Sequence, residues 1–260
     1  MSSLPLDGLT VLEMGEGVSA AFCSKLLAAH GAEVMKVDPI ARGSATDEGL
    51  YEYLHSGKRS IAIDIETDDG REVIRRLVLR AEALVENFEA GYLASIGLPF
   101  EDLRRRKPRL LMTSITPFGQ GIVHSGDAEA ESRGAGTPGD RVGHPDAEYI
   151  AGIQAFAATS VGLYACNYQE VGQWIDISVQ ACLVASLAVD WGGSRLIEIP
   201  FPVTAEGRRP TAEPGSSIRF SDVEPDQAGA PVPGEHTEEI LADIGLRGDE
   251  IAGLRDRGVI

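Results

Sequence analysis

The chain has 260 residues, 43% of them hydrophobic and 24% charged, which suits one large domain, or a domain with an appendage, around a buried core. Its formal net charge of −17 repels phosphate backbones and anionic lipid, so nucleic acid and membrane surfaces are poor partners. No apolar run reaches the ~20 residues of a bilayer span, Met1 to Gly8 lacks a signal pattern, and the unpaired spacing of Cys23, Cys166 and Cys182 suggests neither disulfides nor zinc. A reducing, cytoplasmic setting is expected.

In chain order, Leu9 to Met14 reads as a strand, Ser19 to Ala29 as a helix and Glu33 to Asp38 as a strand, each junction marked by glycine or a turn residue. The pattern continues with a strand at Ser60 to Asp64, a helix at Asp69 to Arg80, a strand at Ala83 to Asn87, a short helix at Glu101 to Arg106 and a strand at Leu110 to Thr116. Thr67 is the expected N-cap of the second long helix, with Asp68 and Asp69 in its first turn. The fold class is therefore α/β: a Rossmann-like, mostly parallel sheet flanked by helices.

Residues 121–145 are rich in Gly, Asp, Glu and Ser and read as loop or disorder. Two apolar helices, Ala147 to Tyr168 and Ser178 to about Val189, then enclose a strand at Trp174 to Ile177; both helices, and Trp174 against the preceding one, are expected to be buried. Seven of the fourteen prolines lie between Ile199 and Gly234, so that stretch reads as an extended arm. It leads to two short helices split at Gly245. The expected division is an α/β domain over residues 1–195, a proline-rich linker arm over 196–235 and C-terminal helices over 236–260.

Gly15, Gly17 and Ala20 follow a strand and open a helix in the pattern G-x-G-x-x-A, with Asp38 at the end of the next strand. Taken alone this suggests a dinucleotide: the glycines admit a pyrophosphate to the helix N-terminus and Asp38 bonds a ribose hydroxyl. The competing view is that the glycines only fit the turn. Cys23 beside Phe22 and Leu26 reads as a buried small hydrophobe, and the dispersed histidines give no metal-ligand spacing, so no metal is expected.

Several separated stretches together resemble the class III (CaiB/BaiF-type) coenzyme A transferases: Pro5 to Asp38 (PLDGLTVLEMGEGVSAAFCSKLLAAHGAEVMKVD), Gly57 to Asp64 (GKRSIAID), Leu84 to Phe88 (LVENF), Pro108 to Gln120 (PRLLMTSITPFGQ), Gly172 to Ser178 (GQWIDIS) and the tail from Gly234. The resemblance implies a reaction in which a carboxylate attacks an acyl-CoA thioester to give a mixed anhydride, and CoA returns to form an enzyme thioester before passing to an acceptor acid. It places that carboxylate shortly after Phe118, Gly119 and Gln120, where this sequence offers Glu131 or Asp127. The segment departs from the family pattern, and the family's inserted smaller domain is replaced by the proline-rich arm.

The resemblance also implies coenzyme A contacts from Gly17, Val18, Arg42, Lys58, Arg59, Asn87 and Phe88, with Glu89 and Ala90 standing where the family usually has a basic residue and proline. It implies acyl-CoA and carboxylic acid substrates and an interlocked homodimer, or an assembly with a fuller-length relative. The arm supports this, since it would otherwise leave the apolar faces of the terminal helices exposed. A shortened, non-catalytic CoA-transferase-like subunit and an NAD-binding enzyme remain the alternatives; acyl donor, acceptor, and transferase against racemase or hydrolase are left open.

Overall fold

The computed structural model describes residues 4–40, 48–120, 145–187 and 229–260. Six strands form one all-parallel sheet: β1 (Thr10–Met14), β2 (Glu33–Asp38), β3 (Arg59–Ala62), β4 (Ala83–Glu86), β5 (Leu111–Thr116) and β6 (Trp174–Ser178). Their order, β3-β2-β1-β4-β5-β6, is that of a doubly wound sheet, with the direction of winding reversing between β1 and β4. The central strands are buried on both sides, as in a parallel sheet covered on both faces: all of β4 and β5 is buried.

One face carries α1 (Ser19–Ala29), α6 (Pro145–Gln169) and α7 (Val179–Leu187), whose core includes Val11, Leu27, Val85 and Ala151; α2 (Glu48–His55) packs on α1. The other face carries α3 (Asp68–Arg80), α4 (Tyr92–Ser95), α5 (Phe100–Arg106), α8 (Thr237–Asp243) and α9 (Gly248–Asp256), around Leu12, Ile61, Ile74, Leu77 and Leu84. Thr67 caps α3 as expected, its Oγ1 accepting the Gly70 N–H at 3.0 Å, with Asp68 and Asp69 in the first turn. Gly70 has to be glycine, because a Cβ there would lie 1.9 Å from the Asp64 carbonyl oxygen.

The terminal helices are not carried away from the sheet, which corrects the expectation that their apolar faces stand open. They close the edge of β3: the His236 N–H donates to the Ser60 carbonyl (2.9 Å), the Ala62 N–H to Thr237 Oγ1 (3.1 Å) and the Asp64 N–H to the Val259 carbonyl (2.9 Å). Ile240, Leu241, Ile251 and Leu254 enter the same core as α3, so the edge strand is capped and the apolar faces are covered within one chain. The argument for dimerisation from those faces therefore falls.

α6 also differs from the fully buried helix expected of an apolar sequence. Small residues let its inner side approach α1 closely, and a Cβ on Gly152 would meet the Ser19 carbonyl oxygen at 2.9 Å; its outer side exposes Ile153, Val161, Tyr164 and Tyr168. By length and composition this helix could cross a membrane, yet it packs on α1 and β5. Trp174 is corrected as well: it is 47% exposed on the edge strand and its ring lies 5.8 Å from that of Phe100 on α5, not against α6.

Candidate active site

A cleft of about 680 Å³ opens at the carboxyl ends of β1 to β4, and Gly15, Asp38, Ile63, Glu66, Asn87 and Phe88 help to line it. That is the size of a small-molecule pocket, and the reversal point of a doubly wound sheet is where such pockets form. Its floor is built by a close fit. Gly15 has φ +104°, and a Cβ there would lie 2.2 Å from Asn87 Oδ1, so only glycine lets β1 turn away beneath Asn87. The Asn87 amide in turn donates to the Glu16 carbonyl and to Ser19 Oγ (3.3 Å), while Asn87 Oδ1 is buried with no hydrogen-bond partner among the described residues.

Gly17 (φ +89°) and Val18 complete the turn into α1. Val18 is the N-cap, no side chain caps the helix, and its first turn holds no acid, leaving the positive end of the helix dipole open toward an anion. Gly17, Val18, Asn87 and Phe88 are thus brought together at one place. Tyr92 stacks against Phe88, ring centroids 4.8 Å apart, and extends the wall; its phenol donates to Glu66, and burial followed by that carboxylate pushes its pKa up to about 12.

The two predicted cations that can be followed lie elsewhere. The Lys58 ammonium is wholly buried beneath α1, donating to Glu13 Oε2 (2.7 Å) and to the Ala21 carbonyl (2.8 Å). Arg59 begins β3, at the opposite end of the sheet from the cleft, and pairs with Glu33, Glu239 (3.1 Å) and Asp243 (2.9 Å). Both sites follow from strand geometry: Lys58 precedes a short edge strand whose neighbours bury it, and Arg59 faces the docked α8. Arg42, Glu131 and Asp127 lie outside the described residues.

The approach to the segment holding Glu131 and Asp127 is nevertheless defined. At Phe118 to Gln120 the Gly119 N–H donates to Thr116 Oγ1 (2.8 Å) and the Gln120 N–H to Asp176 Oδ2 (2.9 Å), while Gln120 Oε1 accepts the Gly91 N–H (3.1 Å). Gln120 therefore ties this turn to the loop that follows Asn87 and Phe88, beside the cleft. Sequence reasoning passed over this link, and it also passed over Glu86, the last residue of β4. The Glu86 side chain accepts the Phe88 N–H at 2.8 Å. Burial raises its pKa to about 7; hydrogen bonds from Ser114 and Phe88 oppose the rise and Asp176 adds to it. A glutamate ending the otherwise apolar strand Ala83–Glu86 was the available signal.

Asp38 cannot serve a ribose as the glycine pattern suggested. It is 1% exposed, with Oδ2 accepting the Ser60 hydroxyl at 2.5 Å and Oδ1 lying 3.3 Å from Lys36 Nζ.

Comparison with known proteins identifies the family. The family model of CoA-transferase family III matches residues 6–222. The chain is 32% identical over 203 residues to succinyl-CoA–D-citramalate CoA-transferase of Chloroflexus aurantiacus, covering 70% of this chain and 50% of that protein. It is 29% identical over 249 residues to succinate–glutarate CoA-transferase of Agrobacterium fabrum, covering 84% and 61%. The chain thus spans about half to three fifths of the length of these curated relatives. Among solved structures, a CaiB/BaiF family protein from Brucella suis superposes with a TM-score of 0.74 at 21% identity, covering 94% of this chain and 100% of that one, which shows a shared fold.

Proposed function

The chain belongs to CoA-transferase family III, and from that premise we propose that its cleft binds coenzyme A and that the protein moves CoA between an acyl-CoA and a carboxylic acid. The observation that carries this reading is the fit of Asn87 over Gly15, which shapes a cleft at the uncapped start of α1. There the pyrophosphate meets backbone N–H donors and the helix dipole, while Phe88 and Tyr92 offer apolar wall to the rest of the nucleotide. Gly17, Val18, Asn87 and Phe88 are the contacts we assign; Arg42 is assigned a phosphate on sequence resemblance. Lys58 and Arg59, by their placement, hold the fold instead.

In this reading a carboxylate oxygen of Glu131 or Asp127 attacks the thioester carbonyl, CoA leaves as thiolate, and the acyl group rests on the enzyme as an anhydride. The thiolate then attacks the enzyme side of that anhydride, releasing the donor acid and leaving an enzyme thioester, which the acceptor carboxylate converts to the new acyl-CoA by the reverse steps. Gln120, the described residue just before that segment, is tied to Gly91 on the loop after Asn87 and Phe88, which supports the reading. The chain's short span relative to its relatives favours a second reading, a CoA-binding subunit without its own catalysis that works with a second copy or a fuller-length relative. The exposed apolar side of α6 suits such a partner. A cytoplasmic setting accords with three free thiols.

Calorimetric titration of the purified chain with CoA, acetyl-CoA and NAD tests the proposal. Binding of CoA and acetyl-CoA but not NAD is expected; binding of none, or of NAD alone, would defeat it. Thioester exchange that survives in the chain but is lost in Glu131→Gln or Asp127→Asn would select transferase over subunit.

A further inference from the structure

Behind the Phe88–Tyr92 wall lies a second, smaller crevice of about 130 Å³, lined by Glu86, Glu89, Glu101, Phe100, Gln120 and Trp174 among others. Glu86 sits in it 2% exposed. Its carboxyl accepts the Phe88 N–H (2.8 Å) and meets the Ser114 hydroxyl, and Ser114 Oγ accepts the Trp174 Nε1–H at 2.8 Å. The ionisable neighbours of this carboxyl among the described residues are these. Asp176 lies beyond Ser114 on β6, Glu89 on the following loop, Glu101 on α5 and the Tyr92 phenol on α4; the α5 guanidinium of Arg104 is turned onto the Phe100 ring, 6.0 Å from its centroid. Among the described residues no cation lines the crevice.

A charge on Glu86 is thus buried, with no cation beside it among the described residues, and its carboxyl holds from behind the backbone of Phe88, which lines the cleft. A neutral carboxylic acid holds the Phe88 N–H through its carbonyl oxygen equally well in geometry, so protonation leaves the wall in place and removes only the charge. An anion entering the cleft, where water and salt cannot screen a buried neighbour fully, selects the neutral form. We propose that Glu86 is the proton acceptor coupled to ligand binding: filling the cleft with an anion favours protonation of Glu86 from solvent, and affinity for the anion falls as pH rises. The inference rests on the reading of the cleft as a CoA site, and the near-neutral titration of Glu86 puts the effect in the physiological range.

Two measurements separate the inference from that reading. In a Trp191→Phe background Trp174 is the sole tryptophan, and its indole reports on Ser114 and Glu86 without any ligand. A fluorescence transition near neutral pH that disappears in Glu86→Gln is expected; no transition, or the same one in the variant, would overturn the proposal even if CoA binds. The second is calorimetry with dephospho-coenzyme A, which lacks the terminal phosphate that itself titrates near pH 6, in buffers of different ionisation enthalpy. Binding should take up roughly half a proton at pH 7 and weaken roughly fivefold from pH 6 to pH 8, and Glu86→Gln should abolish both. Uptake unchanged in Glu86→Gln, or no binding at any pH, would sink the coupling, the latter together with the CoA reading. Should Glu86→Gln not fold, Ser114→Ala serves instead: it removes a hydrogen bond that lowers the Glu86 pKa, so the midpoint of proton uptake must move upward.

Discussion

Two buried glutamates on neighbouring strands meet opposite fates. Glu13 on β1 and Glu86 on β4 are both near-completely buried, and the register pairs Glu13 with Val85 and Met14 with Glu86, so they point to opposite faces of the sheet. Beneath α1, Glu13 is surrounded: Lys58 at 2.7 Å, Lys36 at 3.7 Å and the Ser24 hydroxyl at 2.6 Å. Burial alone would raise its pKa, but those ammonium groups outweigh burial and hold it well below the carboxylate range. Glu86 has hydrogen bonds and, among the described residues, no cation, and its pKa rises. One carboxylate is part of what pins the β2 to β3 crossover to β1; the other is left able to change charge next to the cleft.

Removing the compensation is the most damaging way to test this contrast. Lys58→Met takes the nearest ammonium from the buried Glu13 and leaves it Lys36 at 3.7 Å and the Ser24 hydroxyl, which should cost about 3 kcal/mol in denaturant unfolding. Adding Glu13→Gln should recover much of that loss, a coupling that identifies the pair and not the methionine as the cause. Full stability in Lys58→Met alone would mean that Lys58 is free to act elsewhere, as its resemblance to a phosphate ligand suggests.

Gly15→Ala attacks the cleft itself. Its Cβ would stand 2.2 Å from Asn87 Oδ1 at φ +104°, so a loss of about 1–3 kcal/mol is expected. The double variant with Asn87→Ala should regain part of the stability, read by thermal unfolding, while CoA binding remains lost. Rescue of both would show that Asn87 only shapes the turn.

The sheet was legible because its signals are local: glycines ending strands, Thr67 before two aspartates, and alternation of apolar strands with periodic helices. Strand positions at β1, β2, β4 and β5 follow directly, and the place of Gly17, Val18, Asn87 and Phe88 follows from the order of the strands. What the sequence hid are outcomes of packing at a distance. Lys58 and Arg59 are adjacent cations in one motif, and only the burial of the first under α1 and the docking of α8 on the second tell them apart. The proline-rich composition before Gly234 gives no sign that the residues from His236 onward close the edge of β3. Glu86 carries no signal beyond being a carboxylate in an apolar strand, because what matters is the absence of a cation around it.

The two glutamates also predict opposite responses of stability to pH. Glu86 has a folded pKa above its unfolded value, so its contribution is full below about pH 4.5, the ordinary carboxylate value, and is lost as pH rises toward about 7. At 1.4 kcal/mol per unit that is on the order of 2–3 kcal/mol less stability at pH 8 than at pH 4.5 from this group. Glu13 has a lowered folded pKa, so its contribution is present above the unfolded value and is lost as acid is added. Urea unfolding from pH 4 to 8 should show the fall between pH 5 and 7 flattened in Glu86→Gln, with the acid limb unchanged. An unaltered alkaline slope in the variant would place the titrating group elsewhere.

The smallest effect is expected at Arg59, where the same comparison reaches the surface. Its three partners, Glu33, Glu239 and Asp243, are each about half exposed or more, so solvent screens them, and Arg59→Ala should cost about 1 kcal/mol or less globally. Two of the three belong to α8, however, and the bonds from the His236 N–H to the Ser60 carbonyl and from the Ala62 N–H to Thr237 Oγ1 depend on α8 remaining seated. Hydrogen exchange in Arg59→Ala should therefore accelerate at the Ala62 amide and through α8, while Leu84 and Leu111 in the centre of the sheet stay protected. Equal acceleration at centre and edge would mean that the terminal helices unfold only with the whole domain, and that covering β3 is inseparable from the core beneath it.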